Sequence, residues 1–294
     1  MENIDWSSLS FGYRKTDYNV RCYYRNGKWG ELEVSSEETI TMHMAATCLH
    51  YGQEAFEGMK AFRGKDGKIR LFRMDENAKR MNRSCQGVVM AELPQEIFEA
   101  AVIKAVKMNE RFVPPYESGA SLYIRPLLIG LGAQVGVKPA PEYLFIVFVT
   151  PVGPYFKEGF KPTKMAIFRD YDRAAPLGTG TIKVGGNYAA GMIPTVKAHE
   201  MGYSAAIFLD AKEVHRRSRS GQLLRHQEQY LYHSRIQLYP ALYHKQESDA
   251  GGSGSGSEGR ASSGSRRRAC YFRRSRCLWY GSRDQPYLRD RRLG

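Results

Sequence analysis

The stretch Gly178-Thr-Gly-Thr-Ile-Lys183-Val-Gly-Gly-Asn-Tyr188 places one amine among glycines, with a phenol close behind it. It is not a phosphate-binding P-loop, because no Gly-Lys-Ser/Thr ends it. Nor is it a dinucleotide fingerprint, because Lys183 takes the place of the third glycine. Gly185 and Gly186 allow another group to approach the backbone closely. An amine desolvated in such a loop loses its proton readily and adds to an aldehyde to give a Schiff base. The chemistry suggested is that of a bound carbonyl cofactor; the bland alternative, common for a lone lysine between glycines, is a solvated loop. The five cysteines (Cys22, Cys48, Cys85, Cys270, Cys277) form no CxxC and no metal-ligand spacing. No metal centre is expected, and an odd, scattered set suits reduced cytoplasmic thiols better than a disulfide framework.

The elements that must position this loop alternate between strands and helices. Val20–Tyr24 and Trp29–Val34 flank Asn26-Gly27, a two-residue hairpin signal, and Lys60–Phe62 and Ile69–Arg73 flank Asp66-Gly67 in the same way. A helix is expected from Asp75, with Asp75-Glu76 in its first turn. Ile97, Ala101, Ala105, Met108 and Phe112 mark one apolar helix face that ends before Pro114-Pro115. Ser121–Ile129 and Tyr143–Thr150 read as strands, the second apolar throughout and so covered on both faces. Pro151–Gly159 reads as a boundary between domains, and Lys164–Phe168 and Ala205–Leu209 as further strands.

Composition divides the 294 residues into two texts. The whole is 42% hydrophobic and 25% charged, which excludes a wholly disordered or collagenous chain. No apolar run reaches the ~18 residues a membrane helix needs, and the opening MENIDWSSLS lacks signal-peptide character. Residues 1–213 hold 27 Lys+Arg against 24 Asp+Glu, and residues 214–294 hold 17 against 6, so +11 of the +14 net charge sits in the tail. That tail has 16 Arg but one Lys, and only two Val or Ile against 26 in the first part. Its Gly251–Ser257 run is linker-like. Such a segment buries too little apolar surface to offset its ordering entropy and is expected to be largely disordered.

Residues 1–213 resemble the branched-chain amino-acid aminotransferases of class IV, the fold-type IV group. The matching motifs are Leu49-His-Tyr-Gly52 with Phe56-Glu-Gly58, Arg73…Arg80-Met81, Leu122-Tyr-Ile-Arg-Pro126, Pro151-Val-Gly-Pro-Tyr155 and Lys183-Val-Gly-Gly-Asn-Tyr188. The resemblance implies an α/β (α+β) fold with a small N-terminal α/β domain, residues 1–150. It implies a larger cofactor-binding domain beginning at 151–213, a homodimer, and pyridoxal 5′-phosphate as cofactor. The implied reaction transfers the amino group of Leu, Ile or Val to 2-oxoglutarate, giving branched 2-oxo acids and glutamate. By the same resemblance Lys183 binds the cofactor and shuttles the substrate proton. Arg80 grips the phosphate, as a guanidinium fork can do bidentately, where otherwise it would read as a solvated helix charge. Tyr188 contacts the cofactor's 3′ oxygen. Tyr51, Phe56, Tyr123, Arg125 and Tyr155 line the substrate site, although each such ring taken singly is more often core. His50 reads as structural.

The resemblance breaks after Ala205–Glu213. The family continues with an acid that pairs with the pyridine nitrogen and later with a Gly-Thr-Ala-Ala loop, and residues 214–294 contain neither. Reading Val214–Gln229 one base later, with permitted codons, gives YIDEVGPANFFGIKNN. The same shift from Cys277 gives ACGTAAVISP. Both resemble the missing segments, in family order and in one frame, so the tail is read as a frameshift product that leaves the larger domain incomplete. Two other accounts stand beside an active transaminase: a catalytically dead chain of the same family, and an Arg-rich nucleic-acid binder. The last has charge in its favour but no packed platform.

Overall fold

The computed structural model describes residues 4–154, 164–175 and 177–209, and the short strands 215–218, 225–227 and 230–232. It divides into two units. The first takes in residues 4–154 and, from far along the chain, Ile182–Gly186; the second takes in the described residues of 164–181 and those from Asn187 onward.

The first unit is built on one antiparallel sheet. Strand β1 (Asn19–Arg25) turns at Asn26 and Gly27, whose φ values of 52° and 78° are those a two-residue hairpin of right twist demands. The returning strand is broken into β2 (Lys28–Trp29) and β3 (Glu33–Ser35). Tyr24 faces Trp29 but Val20 faces Val34, so one extra residue bulges out of what the pattern reads as a single strand. After α1 (Thr47–His50) and β4 (Glu54–Phe56), the second hairpin joins β5 (Met59–Arg63) to β6 (Ile69–Leu71). Here the turn is longer than the pattern suggests. The Gly64 N–H donates to the Lys68 carbonyl at 2.8 Å, leaving a three-residue loop with Gly67 at φ 76°. Helices α2 (Met74–Gly87) and α3 (Gln95–Met108) precede the long strands β7 (Ser121–Leu131) and β8 (Glu142–Val152). The sheet order is β2-β1-β8-β7-β5-β6, with β3 also on β1 and β4 also on β7.

Strand β8 is covered on both sides, as its unbroken apolar run requires. Tyr143, Phe145, Val147 and Val149 join the core beneath α2 and α3, where the Phe98 and Phe145 rings stack 5.8 Å apart. Leu144 and Ile146 pack the other way, against Ile129 and Leu131. The buried stripe of α3 is Phe98, Ala101, Val102, Ala105 and Val106, rotated from the expected one: Met108 is exposed, and Phe112 belongs to a separate short turn. Asn109 ends the helix early. Its fully buried side chain donates to the carbonyls of Ala105 (2.8 Å) and Tyr18 (2.9 Å) and accepts the N–H groups of Asp17 and Tyr18 (both 3.0 Å), so it closes α3 and fixes the entry into β1. Leaving those groups unsatisfied costs about 2–4 kcal/mol. Asn109→Ala is expected to lower the urea midpoint of the first unit accordingly, and a midpoint equal to that of a Lys107→Ala control would refute this bracing role.

In the second unit β9 (Met165–Phe168) lies parallel to β10 (Ala205–Leu209), with α4 (Gly186–Ala189) and α5 (Met192–Glu200) between them in sequence. Among the described residues its core is Ala166, Ala198, Ala206 and Phe208. Within the tail the described residues are β11 (His215–Ser218), antiparallel to β10, and the pair β12 (Arg225–Gln227) and β13 (Tyr230–Tyr232). The rest of the tail expected to be disordered lies outside the described residues. No helix among the described residues is long and apolar enough to cross a membrane.

Candidate active site

The register of the central strands decides which side chains share a face. Phe56 is paired with Leu127, and Lys60 with Tyr123. Phe56, Gly58 and Lys60 therefore line one face together with Leu127, Arg125 and Tyr123, while Glu57 between them turns to the helices. The Glu57 N–H donates to the Pro126 carbonyl at 2.8 Å and carries the ladder across the gap between β4 and β5. On the open face Arg125 donates to the Tyr123 hydroxyl at 3.0 Å, and its guanidinium carbon lies 4.8 Å from the Phe56 ring centre and 5.3 Å from that of Tyr123. A Cβ at Gly58 would collide with the Tyr123 hydroxyl, so glycine there makes room for the phenol.

Lys183 is brought to this face by its backbone. Its carbonyl accepts the Phe56 N–H at 3.3 Å, and its N–H donates to Ser84 Oγ at 2.9 Å. Its Nζ then stands 4.2 Å from the centre of the Phe56 ring. Ile182 packs on Gly87 of α2, where a Cβ would meet it at 2.7 Å. Four of the expected site residues, Lys183, Phe56, Tyr123 and Arg125, thus form one group.

Arg80 is tied to the same segment through the main chain, since Ser84 Oγ donates to the Arg80 carbonyl at 3.1 Å. Its guanidinium is buried against Glu57, with Nε 2.7 Å from Oε1 and Nη2 2.5 Å from Oε2, and Asn77 adds a donor to the same carboxylate at 2.8 Å. The Nε–Nη2 edge, one of the two that could hold a phosphate bidentately, is thus given to Glu57. Tyr51 lies elsewhere: its hydroxyl donates to the Val135 carbonyl, and its ring packs 4.3 Å from that of His50. Tyr188 is in the second unit, where the buried Arg173 sits 4.7 Å from its ring centre. Burial holds the Arg173 guanidinium below its usual pKa, against the opposing pull of Tyr188. Tyr155 lies outside the described residues.

Sequence reasoning passed over Glu57, Ser84, Glu54 and Lys60. Glu57 lies in the gap between β4 and β5, and its partner is 23 residues away on a helix. Lys60 is buried at 8% exposure and, among the described residues, meets no carboxylate, so burial pulls its pKa down to about 8. With the folded pKa below the unfolded one, the unfolded chain binds the extra proton, and stability rises with pH between about 8 and 10.5. Below that window the buried charge costs about 3 kcal/mol. Lys60→Met should recover most of this at pH 7 and flatten the rise; chemical denaturation of both forms at pH 7 and pH 10 checks it, and equal pH slopes would refute it.

An antiparallel sheet with two helices on one face and a lysine-bearing segment held along β4 is the fold of a fold-type IV aminotransferase. More narrowly, the chain is related to the branched-chain-amino-acid aminotransferases. It is 49% identical over 217 residues to that of Haemophilus influenzae, covering 72% of this chain and 63% of the relative. It is 49% identical over 211 residues to that of Helicobacter pylori, covering 71% and 62%. The crystal structure of a branched-chain amino acid aminotransferase from Thermobaculum terrenum in its PLP form shares the fold, with TM-score 0.54 and 20% identity over 70% of this chain and 62% of that one. No family model matches the chain. The chain spans less than two thirds of the length of these curated relatives.

Proposed function

We propose that the chain derives from a pyridoxal 5′-phosphate-dependent branched-chain amino-acid transaminase that moves the amino group of Leu, Ile or Val to 2-oxoglutarate. The observation that carries this reading is the docking of Lys183 at the Phe56 ring beside Arg125. The described residues fit such a cofactor and such substrates. The Lys183 amine can take an aldehyde, and Arg125 Nε is buried and, among the described residues, has no hydrogen-bond partner, which suits a carboxylate acceptor. Pyridoxal 5′-phosphate, when bound, supplies the aldehyde for that amine and an electron sink for the substrate's Cα.

The chain's own residues do the rest. Lys183 holds the cofactor and afterwards moves the proton at the substrate's Cα. Arg80, its orientation set by Glu57, anchors the phosphate, and Tyr188 donates to the ring oxygen. Phe56 and Tyr123 give apolar walls that match a branched aliphatic side chain, with Tyr155 added to that lining by the resemblance, whereas Tyr51 stands apart from them. Arg125 gives the acidic partner substrate a cation. In this reading the working form is the frame-restored chain, in which residues 151 onward make a complete cofactor-binding domain.

The same reading makes the protein a homodimer. Met44, Leu49, Tyr51, Val135 and Val137 are exposed, and the hydrogen bonds from Gln134 N–H to the Ala45 carbonyl and from Tyr51 to Val135 gather them into one patch suited to a second copy. A cytoplasmic location is supported by Cys22, Cys48 and Cys85 standing as free thiols.

Borohydride reduction of the frame-restored protein with cofactor, followed by peptide mapping, should place the pyridoxyl group on the peptide holding Lys183. Label on Lys197 or Lys212 would overturn the assignment. Lys183→Ala should abolish turnover, whereas Arg80→Ala should mainly weaken cofactor binding.

A further inference from the structure

Strand β4 meets the lysine segment twice. The Phe56 N–H reaches the Lys183 carbonyl, and two residues earlier on the same face the Glu54 carboxylate accepts the Gly185 N–H. The approach is so close that a Cβ at Gly185 would collide with Glu54 Oε1, so the first glycine after Lys183 follows from Glu54 as well as from any ligand. The charged groups acting on this carboxylate are Lys183 and Arg125.

We propose that Glu54 is a positioning residue for Lys183: a latch that fixes Lys183–Gly186 on β4 and a fixed negative charge that holds the Lys183 ammonium at the Phe56 ring until a ligand displaces it. The proposal deepens the reading of Lys183 as the reactive amine and rests on it for its functional meaning, but its geometry lies wholly within the first unit. Burial pushes the Glu54 carboxyl above its usual pKa, while the Gly185 N–H, Lys183 and Arg125 pull the other way. A simple structural strut would need only the Gly185 hydrogen bond. The nearby cations are what make the charge consequential.

The two roles separate by substitution in the full 294-residue chain without cofactor. Glu54→Gln keeps an oxygen for the Gly185 N–H and removes the charge; Glu54→Ala removes both. Acetylation of Lys183 by acetic anhydride at pH 8 is read by peptide mass spectrometry against exposed Lys138, and amide exchange is read on the 182–186 segment. For Glu54→Gln the Lys183 rate should rise roughly threefold with exchange little changed, because the charge that holds the Lys183 side chain at β4 is gone and the amine meets the reagent more freely. For Glu54→Ala exchange in the segment should also quicken, by about tenfold, as a lost charge-assisted hydrogen bond implies. An unchanged acetylation rate in Glu54→Gln overturns the charge role, and unchanged exchange in Glu54→Ala overturns the latch. Protection of the β7 and β8 amides reports that either variant is folded, and the near-isosteric Gln variant keeps the test decisive if the Ala variant is not. Should borohydride mapping place the pyridoxyl group elsewhere while Glu54 still governs Lys183, the proposed function fails and the latch stands.

Discussion

The protein encoded when one base is restored after the Glu213 codon is expected to convert leucine and 2-oxoglutarate to the branched 2-oxo acid and glutamate, while the 294-residue chain shows no turnover. Two losses set the size of the difference. In the second unit the described core amounts to Ala166, Ala198, Ala206 and Phe208, little to hold β9 and β10. Each further large side chain buried there would add about 1.5–3 kcal/mol, against a net stability for a whole domain of about 5–15 kcal/mol. The second loss is chemical. On the frameshift reading, the permitted codons of the shifted frame restore the acid for the pyridine nitrogen and the Gly-Thr-Ala-Ala loop, neither of which residues 214–294 contain, so the restored form is expected to regain both electronic activation and part of the cofactor's anchorage. Comparable turnover by the two forms would end the frameshift account and require a site built from the tail.

The second large effect concerns Glu57 and Arg80. Removing one member leaves the other charged and buried at 0–4% side-chain exposure, so Glu57→Ala should cost about 3–5 kcal/mol in the first unit. Replacing both, as Glu57→Leu with Arg80→Met, keeps the volume and removes the uncompensated charge, and should be far milder for stability or even favourable. The double variant should nevertheless lose cofactor affinity in the frame-restored form, since the proposed phosphate grip goes with Arg80. Urea unfolding of the two singles and the double tests this. If Glu57→Ala costs under about 1 kcal/mol, the pair is not the keystone its burial indicates.

What the sequence made legible is what local chemistry controls. Asn26-Gly27 announced its turn because few other residues tolerate positive φ at both central positions. The run Tyr143–Thr150 announced a strand with two covered faces because every residue in it before Thr150 is apolar. Its limits are equally physical. The bulge between β2 and β3 turns on a one-residue change of register that alternation does not display. The early end of α3 depends on where Asn109 finds partners at Asp17 and Tyr18, over 90 residues away in sequence. For the site, the resemblance supplied Lys183, Phe56, Tyr123 and Arg125 as one group, and the register accounts for why the last three share a face. Ser84 and Glu54 were illegible because a serine in a helix and a glutamate in a short strand have many ordinary uses. Only the return of a segment 99 and 131 residues later gives them this one.

That return bears on the order in which the molecule is made. Residues 182–186 complete a unit whose other described residues end at 154, so on the ribosome the sheet and both helices emerge well before the strip that covers β4. The nascent chain therefore spends an interval with the β4 backbone, the Ser84 hydroxyl and the Glu54 carboxylate facing water, or facing whatever chaperone is at hand. Bridging 99 to 131 residues adds a loop-closure penalty that grows only logarithmically with length, so the strip can join late without great thermodynamic loss. Being the last piece to arrive, it is also the natural first piece to leave. Transient exposure of Lys183 should then precede global unfolding as the molecule breathes.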